Sequence, residues 1–341
     1  MKAARLYGAR DLRVEEVVEP DLPDGYGLIR VEACGVCPSD IRSFDRASNK
    51  PPWTPGHEVS GVLVRAASGQ LGDIDIGERV VVDWRQVCGR CFYCLAGNPN
   101  FCEQREEFPI AGFAEYSAAP LAVLHKLPPP LSFEQGSFCE PLACVLNAHR
   151  AMRLWPGQDF VVLGAGPIGL LHAQVALRRG ARVIAVDLLQ ARLSIAHELG
   201  VHDVIDASKA DTVAQVRDLT GGYGASAAVV AVGSTQALTE AMAMVRKGGV
   251  VNVFAGIYPS AELRLDPNII HYGEISLTGS HDYGPAEFAS ALRLIEHGII
   301  AVAPLVSHRF PLNEIVHAFT ATSEQHGLKS IIQPQMAEGT P

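Results

Sequence analysis

The sequence predicts an α/β protein of two parts, an irregular β domain followed by a doubly wound parallel sheet of six strands. The chain has 341 residues, which is enough for two domains with cores of their own. Residues 1 to about 145 are divided by Pro and Gly into short β-prone runs, as in antiparallel, irregular β structure. From residue 159 onward, apolar strands alternate with helices, which is typical of a parallel sheet covered on both faces.

The β-prone runs of the first part are LIRVEACGV, GVLVRAA, ERVVVDW and FAEYSAAP. In the second part, DFVVLGAG, ARVIAVD and VHDVIDAS are predicted strands, separated by helices at PIGLLHAQVALRRG and LLQARLSIAHELG. A second set follows: the strand ASAAVVAV, a helix around STQALTEAMAMVRKG, and the strands GVVNVFAG and ISLTGSH. An amphipathic helix, AEFASALRLIEHGI, precedes a tail of mixed structure. The predicted boundaries are 1–145, 146–284 and 285–341, with the last segment returning to the first domain and a lobe at 84–104.

Charge and hydropathy exclude several classes of function. The net charge of −9 argues against a nucleic-acid-binding protein, whose surface would be basic. The first residues lack the apolar core of a signal peptide, and no apolar run reaches the length of about eighteen residues that a membrane span needs. We therefore expect a cytoplasmic protein without membrane or nucleic-acid partners.

The stretch CGRCFYCLAGNPNFC (88–102) contains four of the eight cysteines, spaced C-x2-C-x2-C-x7-C. Cytosolic thiols are kept reduced, so the cluster needs an explanation other than disulfides. Its spacing suits tetrahedral coordination of zinc; unlinked buried cysteines and an iron–sulfur cluster are the alternatives. Four thiolates leave no open position, so the site would be structural. The predicted ligands are Cys88, Cys91, Cys94 and Cys102.

A glycine-rich turn, GAGPIG (164–169), stands between a predicted strand and a predicted helix. Gly164 permits a tight turn, Gly166 lets the backbone approach a pyrophosphate, and Gly169 allows the helix to pack closely on the strand. Pro167 and Ile168 complete the turn. The pattern predicts a dinucleotide site; the alternative is a glycine-rich turn in an α/β domain that binds no nucleotide.

The next strand ends at Asp187, eighteen residues after Gly169, where a carboxylate can bind the ribose 2′-hydroxyl. A carboxylate there would repel a 2′-phosphate, so NAD is favoured over NADP. Arg192 would either flank the adenine or be a solvated helix charge. Val232, at the end of ASAAVVAV, is a further candidate for nucleotide contact.

Three scattered stretches, CGVCPSD (34–40), PGHEVSG (55–61) and FCEPLAC (138–144), offer ligands for a second zinc. Cys37, His57, Glu58 and Glu140 supply the sulfur, nitrogen and oxygen atoms that a catalytic zinc accepts. Each has an ordinary alternative: His57 and Glu58 could be a surface pair, and Glu140 a helix-start acid. The spacing by itself leaves these alternatives open.

Taken together, and in this order, these motifs resemble those of the zinc-dependent medium-chain dehydrogenases/reductases over almost the whole chain. The EPL motif is most similar to the sorbitol (polyol) dehydrogenase group. The resemblance implies a GroES-like, zinc-binding catalytic domain and a Rossmann NAD-binding domain. It also implies a catalytic zinc bound by Cys37 and His57, with Glu58 and Glu140 as inner-sphere or exchanging ligands. Two zinc ions per subunit and a homodimer or homotetramer follow from the same resemblance.

The resemblance further implies that Ser39 contacts the substrate alcohol and that Asp40 orients His57. Many relatives have a histidine five residues after the catalytic cysteine, where this chain has Arg42, which cannot take up a proton at working pH. The proton would then leave beside Glu58 or directly to solvent. The implied reaction is reversible oxidation of a polyol, sugar or cyclitol to a ketone with NAD. Amino-alcohol, aminocyclitol, threonine-type or sugar-alcohol-phosphate substrates are alternatives, as is a nucleotide-binding regulator without turnover.

Overall fold

A computed structural model of the chain describes residues 1–46, 52–67, 74–108, 110–209 and 211–337. The chain forms two compact units. The first comprises Met1–Pro141, Gly284–Gly298 and Val302–Pro341, and the second comprises Leu142–Tyr283 with Ile299–Ala301. The first unit is therefore assembled from segments that are far apart in the sequence.

The first unit begins with short strands and short helices. In chain order these are β1 (Lys2–Gly8), β2 (Asp11–Glu16), β3 (Tyr26–Gly35), α1 (Pro38–Asp45), β4 (Glu58–Ala66), β5 (Arg79–Val82), β6 (Arg85–Gln86), α2 (Phe92–Leu95), β7 (Glu106–Glu107), β8 (Tyr116–Pro120), β9 (Leu124–Lys126) and α3 (Phe133–Gly136). Helix α4 (Cys139–Ala151) carries the chain into the second unit.

The second unit alternates strands with helices. Its elements are β10 (Asp159–Leu163), α5 (Pro167–Arg178), β11 (Arg182–Asp187), α6 (Gln190–Glu198), β12 (Asp203–Asp206), α7 (Thr212–Leu219), β13 (Ala225–Val230), α8 (Thr235–Met244), β14 (Val245–Val253), α9 (Pro267–Gly273) and β15 (Ser276–Gly279). The chain then adds α10 (Pro285–Glu296), β16 (Val306–Pro311), α11 (Ile315–Ser323) and β17 (Lys329–Gln333) to the first unit.

The main sheet of the first unit is centred on β3. Over the described residues its strand order is β16-β17-β3-β4-β5-β9, with β8 also paired to β3. All these pairs are antiparallel except β16 with β17. On one face of β3, Ile29 and Val31 are buried in a core with Leu63, Val80 and Phe113, whereas the middle of the other face is only half-buried. Burial of such side chains is the main stabilising contribution to the unit.

The second unit contains the predicted parallel sheet. Within the described ranges the sheet has six strands in the order β12-β11-β10-β13-β14-β15, and every neighbouring pair is parallel. The strand order reverses between β10 and β13, which is where such sheets bind ligands at the carboxyl ends of their strands. Strands β10 and β13 are buried almost throughout, as expected for a sheet with helices on both faces. The predicted fold class is confirmed.

One predicted helix is too long. The sequence predicts a helix around residues 234–248, which includes VRKG, but α8 ends at Met244 and β14 begins at Val245. Val245 pairs with Ala225, and after a register shift Val250 pairs with Ala227. Arg and Lys favour helices, so the pattern VRKG prolongs the apparent helix. Pairing in the sheet overrides that local preference.

Among the helices in the described ranges, none combines the length and the apolar character that crossing a bilayer requires.

Candidate active site

The four-cysteine stretch forms a tight cluster on the lobe that carries α2. One sulfur from each of Cys88, Cys91, Cys94 and Cys102 lies within 4.8 Å of the others. Backbone N–H groups of Cys91 and Arg90 donate to the Cys88 sulfur at 3.3 and 3.5 Å, and the Cys88 N–H donates to the Cys102 sulfur at 3.3 Å. Backbone N–H groups lower the pKa of the Cys88 and Cys91 thiols, which favours the thiolate that binds a metal. Four convergent sulfurs fit a closed zinc site.

A second cluster joins the end of β3 to the start of β4. Donor atoms of Cys37, His57 and Glu58 lie within 4.8 Å of one another. Cys37 immediately precedes α1, and Glu58 begins β4, whose pairing places Glu58 opposite Gly35. The turn before it needs Gly56, because its φ is +100° and a Cβ there would lie 2.9 Å from the backbone nitrogen of Phe113. Sheet register thus brings together two motifs that are twenty residues apart.

Asp40 connects Cys37 and His57. Its Oδ2 accepts a hydrogen bond from the Cys37 N–H at 2.9 Å, and its Oδ1 lies 3.6 Å from His57 Nδ1. Asp40 is buried, and the His57 ring lies 5.4 Å from the Trp84 ring, centroid to centroid. Burial opposes a proton on His57, but Asp40 and the Cys37 sulfur outweigh it and raise the pKa of His57 well above its usual value.

Glu140 and Ser39 are placed less directly by the geometry. Glu140 is buried in the first turn of α4, and Trp84 Nε1 donates to its Oε1 at 3.5 Å. Within the described residues, no oxygen of Glu140 joins the 4.8 Å cluster of Cys37, His57 and Glu58. Its charge nevertheless helps to raise the pKa of Glu58. Ser39 is half-buried in the first turn of α1, and its carbonyl accepts from the Ser43 hydroxyl at 3.1 Å.

Lys329 is a site residue that no sequence motif indicated. Its Nζ lies 2.6 Å from Oε1 and 2.5 Å from Oε2 of Glu58, and both side chains are buried. Burial raises the pKa of Glu58, and the positive charge of Lys329 only partly offsets this rise. Burial also disfavours the charged form of Lys329, but the negative charges of Glu58, Cys37 and Glu140 together outweigh it and raise the pKa of Lys329. The only available signal was a lysine directly before the apolar residues of a strand, in KSIIQ (329–333). Nothing in that pattern identifies a partner 271 residues away.

The glycine-rich turn of the second unit has the close approaches that its motif predicts. Gly164 has a φ of +96°, and a Cβ on it would lie 2.3 Å from Val232 Cγ1. A Cβ on Gly169 would lie 1.7 Å from the Gly164 oxygen, so the start of α5 can pack against the turn only with glycine there. Helix α5 begins at Pro167 after Gly166, and Ile168 follows in its first turn. This arrangement leaves a helix N-terminus for phosphate groups.

Asp187 stands at the end of β11 beside this turn. Its Oδ2 accepts from the Ala165 N–H at 2.7 Å, and its Oδ1 accepts from the Leu189 N–H at 2.8 Å. Arg192 NH1 lies 3.9 Å from Oδ2 and 3.8 Å from the position of a Cβ on Gly166. The structure therefore brings the predicted nucleotide residues of the second unit together.

Comparison with known proteins identifies the family of the chain. Residues 23–129 match the alcohol dehydrogenase GroES-like domain, and residues 167–297 match the zinc-binding dehydrogenase domain. The chain is 32% identical over 335 residues to erythritol/L-threitol dehydrogenase of Mycolicibacterium smegmatis, covering 92% of each chain. It is also 32% identical over 335 residues to sorbitol dehydrogenase of Halalkalibacterium halodurans, covering 96% of this chain and 97% of the relative.

A solved structure shares the fold over nearly the full length. This is a protein from Sinorhizobium meliloti designated a zinc-binding dehydrogenase, bound to NADP. Its TM-score is 0.90 at 28% identity, with 98% of this chain and 99% of that chain covered. The chain belongs to the zinc-dependent medium-chain dehydrogenases/reductases, in their polyol dehydrogenase group. It is an oxidoreductase that acts on the CH–OH group of a small-molecule alcohol, with zinc and a nicotinamide cofactor, as the sequence predicts.

Proposed function

We propose that the protein oxidises a secondary alcohol of the polyol, sugar or cyclitol class to the ketone, reversibly, with NAD as the hydride acceptor. The observation that carries this proposal is the convergence of sulfur, nitrogen and oxygen donors from Cys37, His57 and Glu58 within 4.8 Å. The tetritol and hexitol named for the two relatives support the polyol class.

The second cluster fits a catalytic zinc by its donor chemistry. Cys37 and His57 would hold the ion, with Glu58 and Glu140 as inner-sphere or exchanging carboxylates, so that one of the four positions would be available to substrate. When bound, zinc would act as a Lewis acid on the alcohol, and the nicotinamide would accept the hydride. Asp40 would fix the tautomer and orientation of His57 through Nδ1, as partners of metal-bound histidines generally do.

The proton of the alcohol needs its own route. Ser39, half-buried at the start of α1, would accept it at the hydroxyl. Arg42, one turn further along α1, cannot take it up, because a guanidinium stays protonated. We propose that the proton passes beside the Glu58 carboxylate or directly to solvent.

The second unit would bind the cofactor. Gly164, Gly166 and Gly169, with Pro167 and Ile168, would form the pyrophosphate site at the N-terminus of α5. Asp187 would bind the ribose hydroxyls, with Arg192 and Val232 beside it, and its negative charge favours NAD over NADP. The structure of the Sinorhizobium meliloti protein is bound to NADP, so the preference for NAD over NADP has to be tested on this chain itself.

The Cys88, Cys91, Cys94 and Cys102 cluster would hold the second zinc of each subunit, in a structural role. We propose that residues 1–145 with 285–341 form the catalytic domain and 146–284 the cofactor domain. Homodimer or homotetramer formation and a cytoplasmic location complete the proposal. Light scattering and cell fractionation would test these last two points.

The deciding experiment is NAD reduction by the zinc-loaded protein across a panel of alcohols. The panel contains tetritols, pentitols, hexitols, inositols, aminocyclitols, threonine, simple secondary alcohols and sugar-alcohol phosphates, with NADP as the control cofactor. Turnover of one polyol or cyclitol class supports the proposal and names the substrate. Preference for threonine, an aminocyclitol or a phosphate selects the corresponding alternative, and silence with zinc and NAD bound favours a regulator without turnover.

A further inference from the structure

Trp84 packs against the second metal cluster. Its ring centroid lies 5.4 Å from that of His57, and its Nε1 donates to Glu140 Oε1 at 3.5 Å. Trp84 follows β5 closely along the chain and packs, half-buried, against the core of the first unit. The indole is therefore a fixed surface beside the cluster.

Arg85, the next residue, places its guanidinium on the same indole. Arg85 Cζ lies 4.1 Å from the Trp84 ring centroid, which is the distance of a stacked cation–π contact. The backbone of Arg85 is held as well, because its N–H donates to Asp83 Oδ1 at 3.3 Å and β6 pairs it with Glu107 of β7. The guanidinium and the His57 ring thus contact one indole, at 4.1 and 5.4 Å. A fixed positive charge therefore lies close to the residues that would hold the metal.

The ligands of the second cluster have charged partners of their own. Lys329 contacts the carboxylate of Glu58, and Asp40 lies beside His57. Within the described part of the chain, the principal charges that act on Glu58 and His57 do not include Arg85. The charge of Arg85 is thus near the cluster without being used by its ligands.

A guanidinium in this place is suited to bind an anion. Its five N–H donors lie in one plane, so it can keep contacts within the protein and still donate two parallel hydrogen bonds to a carboxylate or phosphate. Stacking on the indole leaves this plane of donors available at its edge. The ring also replaces water on one face of the guanidinium, which strengthens its attraction for an anion.

We propose that Arg85 binds an anionic group of the substrate, a carboxylate or a phosphate, and so selects a polyhydroxylated acid or phosphate ester over a neutral polyol. The inference rests on the proposed function, which brings the hydroxyl to be oxidised to a metal at Cys37 and His57. From there to Arg85 the substrate extends over a few carbon–carbon bonds of about 1.5 Å each, which a sugar skeleton provides. The anion then binds away from the reacting carbon and contributes to affinity rather than to the chemical step.

The test compares neutral and anionic alcohols on one carbon skeleton. Each set contains a tetritol, pentitol or hexitol with the corresponding aldonate and alditol phosphate, assayed with NAD and the zinc-loaded protein. In wild type, kcat/KM for one of the anionic alcohols should exceed that for the neutral one by roughly tenfold or more. In Arg85→Gln this ratio should fall by roughly 10- to 100-fold, mainly through KM, because charge-assisted hydrogen bonds to the anion are lost. The preferred anion identifies the substrate as an acid or a phosphate ester.

Arg90→Gln is the matched control. Arg90 is exposed on the lobe, where its Nε donates to Gln104 at 3.4 Å, and its loss should leave the ratio as in wild type. Arg85→Lys keeps the charge but not the planar fork, so it should retain only part of the preference. Calorimetry provides a readout without turnover: a deoxy acid, which lacks the hydroxyl to be oxidised, should bind wild type and Arg90→Gln more tightly than Arg85→Gln.

The outcomes separate the two proposals. A wild-type protein that turns over no alcohol, with zinc and NAD bound, contradicts the proposed function. A wild-type protein that turns over neutral polyols without preferring their anionic counterparts overturns the role of Arg85 alone. A preference that persists in Arg85→Gln, or that is lost equally in Arg90→Gln, also overturns it. If Arg85→Gln does not fold, a full wild-type ratio in Arg85→Lys has the same meaning.

Discussion

The two cysteine-containing clusters of the first unit are built in opposite ways. Cys88 to Cys102 lie in fifteen consecutive residues, and their own backbone N–H groups orient the sulfurs. The cluster of Cys37, His57 and Glu58 depends on the pairing of β3 with β4, and its ion pair reaches a residue 271 positions further along the chain. The first cluster is specified by local spacing, the second by the register of a sheet. Their roles should therefore separate under mutation.

The largest effect is expected for Cys37→Ser. Removing the thiolate should cost the second cluster its metal and reduce kcat/KM by about three orders of magnitude or more, because several kcal/mol of charge stabilisation is lost. NAD binding, followed by cofactor fluorescence, and the melting temperature should stay close to wild type. A Cys37→Ser protein that retains turnover would remove the basis for a catalytic zinc at this cluster.

Cys91→Ser should produce the complementary result. Loss of the zinc of the lobe should lower the melting temperature, by roughly 2–4 °C for each kcal/mol lost, because structural zinc sites contribute directly to folding. Turnover per remaining catalytic zinc, measured at a temperature where the protein is folded, should be near wild type. Lost turnover in a variant of undiminished melting temperature would mean that the two clusters do not differ in role.

Asp187→Ala tests a carboxylate outside both clusters, which is held by the N–H groups of Ala165 and Leu189. We expect NAD affinity to fall by about 10- to 100-fold, since charged hydrogen bonds contribute roughly 1.5–3 kcal/mol. The preference for NAD over NADP should narrow accordingly. Asp206→Ala is the matched control. Asp206 lies opposite Asp187 in the sheet, but its carboxylate accepts hydrogen bonds from Ser208 and Lys209 instead. An unchanged NAD/NADP ratio in Asp187→Ala would place the discrimination elsewhere.

At neutral pH the smallest effect concerns histidines outside both clusters. His57 has anionic neighbours, whereas His149 and His172 are stacked 5.2 Å apart in the second unit, with no hydrogen-bond partner for their ring nitrogens among the described residues. Burial lowers the pKa of His149 well below its usual value and that of His172 from 6.5 to about 3. The unfolded chain takes up protons that the folded one does not. The contribution of His172 to stability is therefore fully present above about pH 6.5 and is lost as the pH drops toward 3, by about 1.4 kcal/mol per pH unit, and His149 acts in the same direction.

His172→Phe keeps a ring against Phe254 and removes one of these groups. The dependence of the urea unfolding midpoint on pH below 6.5 should become shallower by about one proton. The exposed His197, changed to Gln, serves as the control and should leave the slope unchanged. If His172→Phe and wild type had the same slope, His172 would be able to take up its proton in the folded protein.

Features encoded in short stretches could be predicted, and features that depend on distant pairing could not. The parallel sheet, the turn from Gly164 to Gly169 and the four-cysteine cluster follow from local pattern and spacing. Cys37, His57 and Glu58 are candidate ligands of a second zinc by residue type, but their spacing leaves ordinary alternatives open, and only the resemblance to known enzymes favours a common metal site. The contact of Lys329 with Glu58 could not be predicted, because it depends on which strand pairs with β3 at Gly35. The predicted helix continues too far, through VRKG, for the same reason, because pairing with β13 makes these residues part of a strand.

The position of Lys329 near the end of the chain has a consequence for synthesis. Glu58 is made 271 residues before its counter-ion, and at typical rates of about 5–20 residues per second this is a delay of roughly 15–50 s. During that interval the whole second unit is translated and can fold first. Glu58 can form its ion pair, and β3 can pair with β17 at Gly35, only after β17 has been synthesised. Completion of the cluster around Glu58 is thus a late event, which follows synthesis of the second unit.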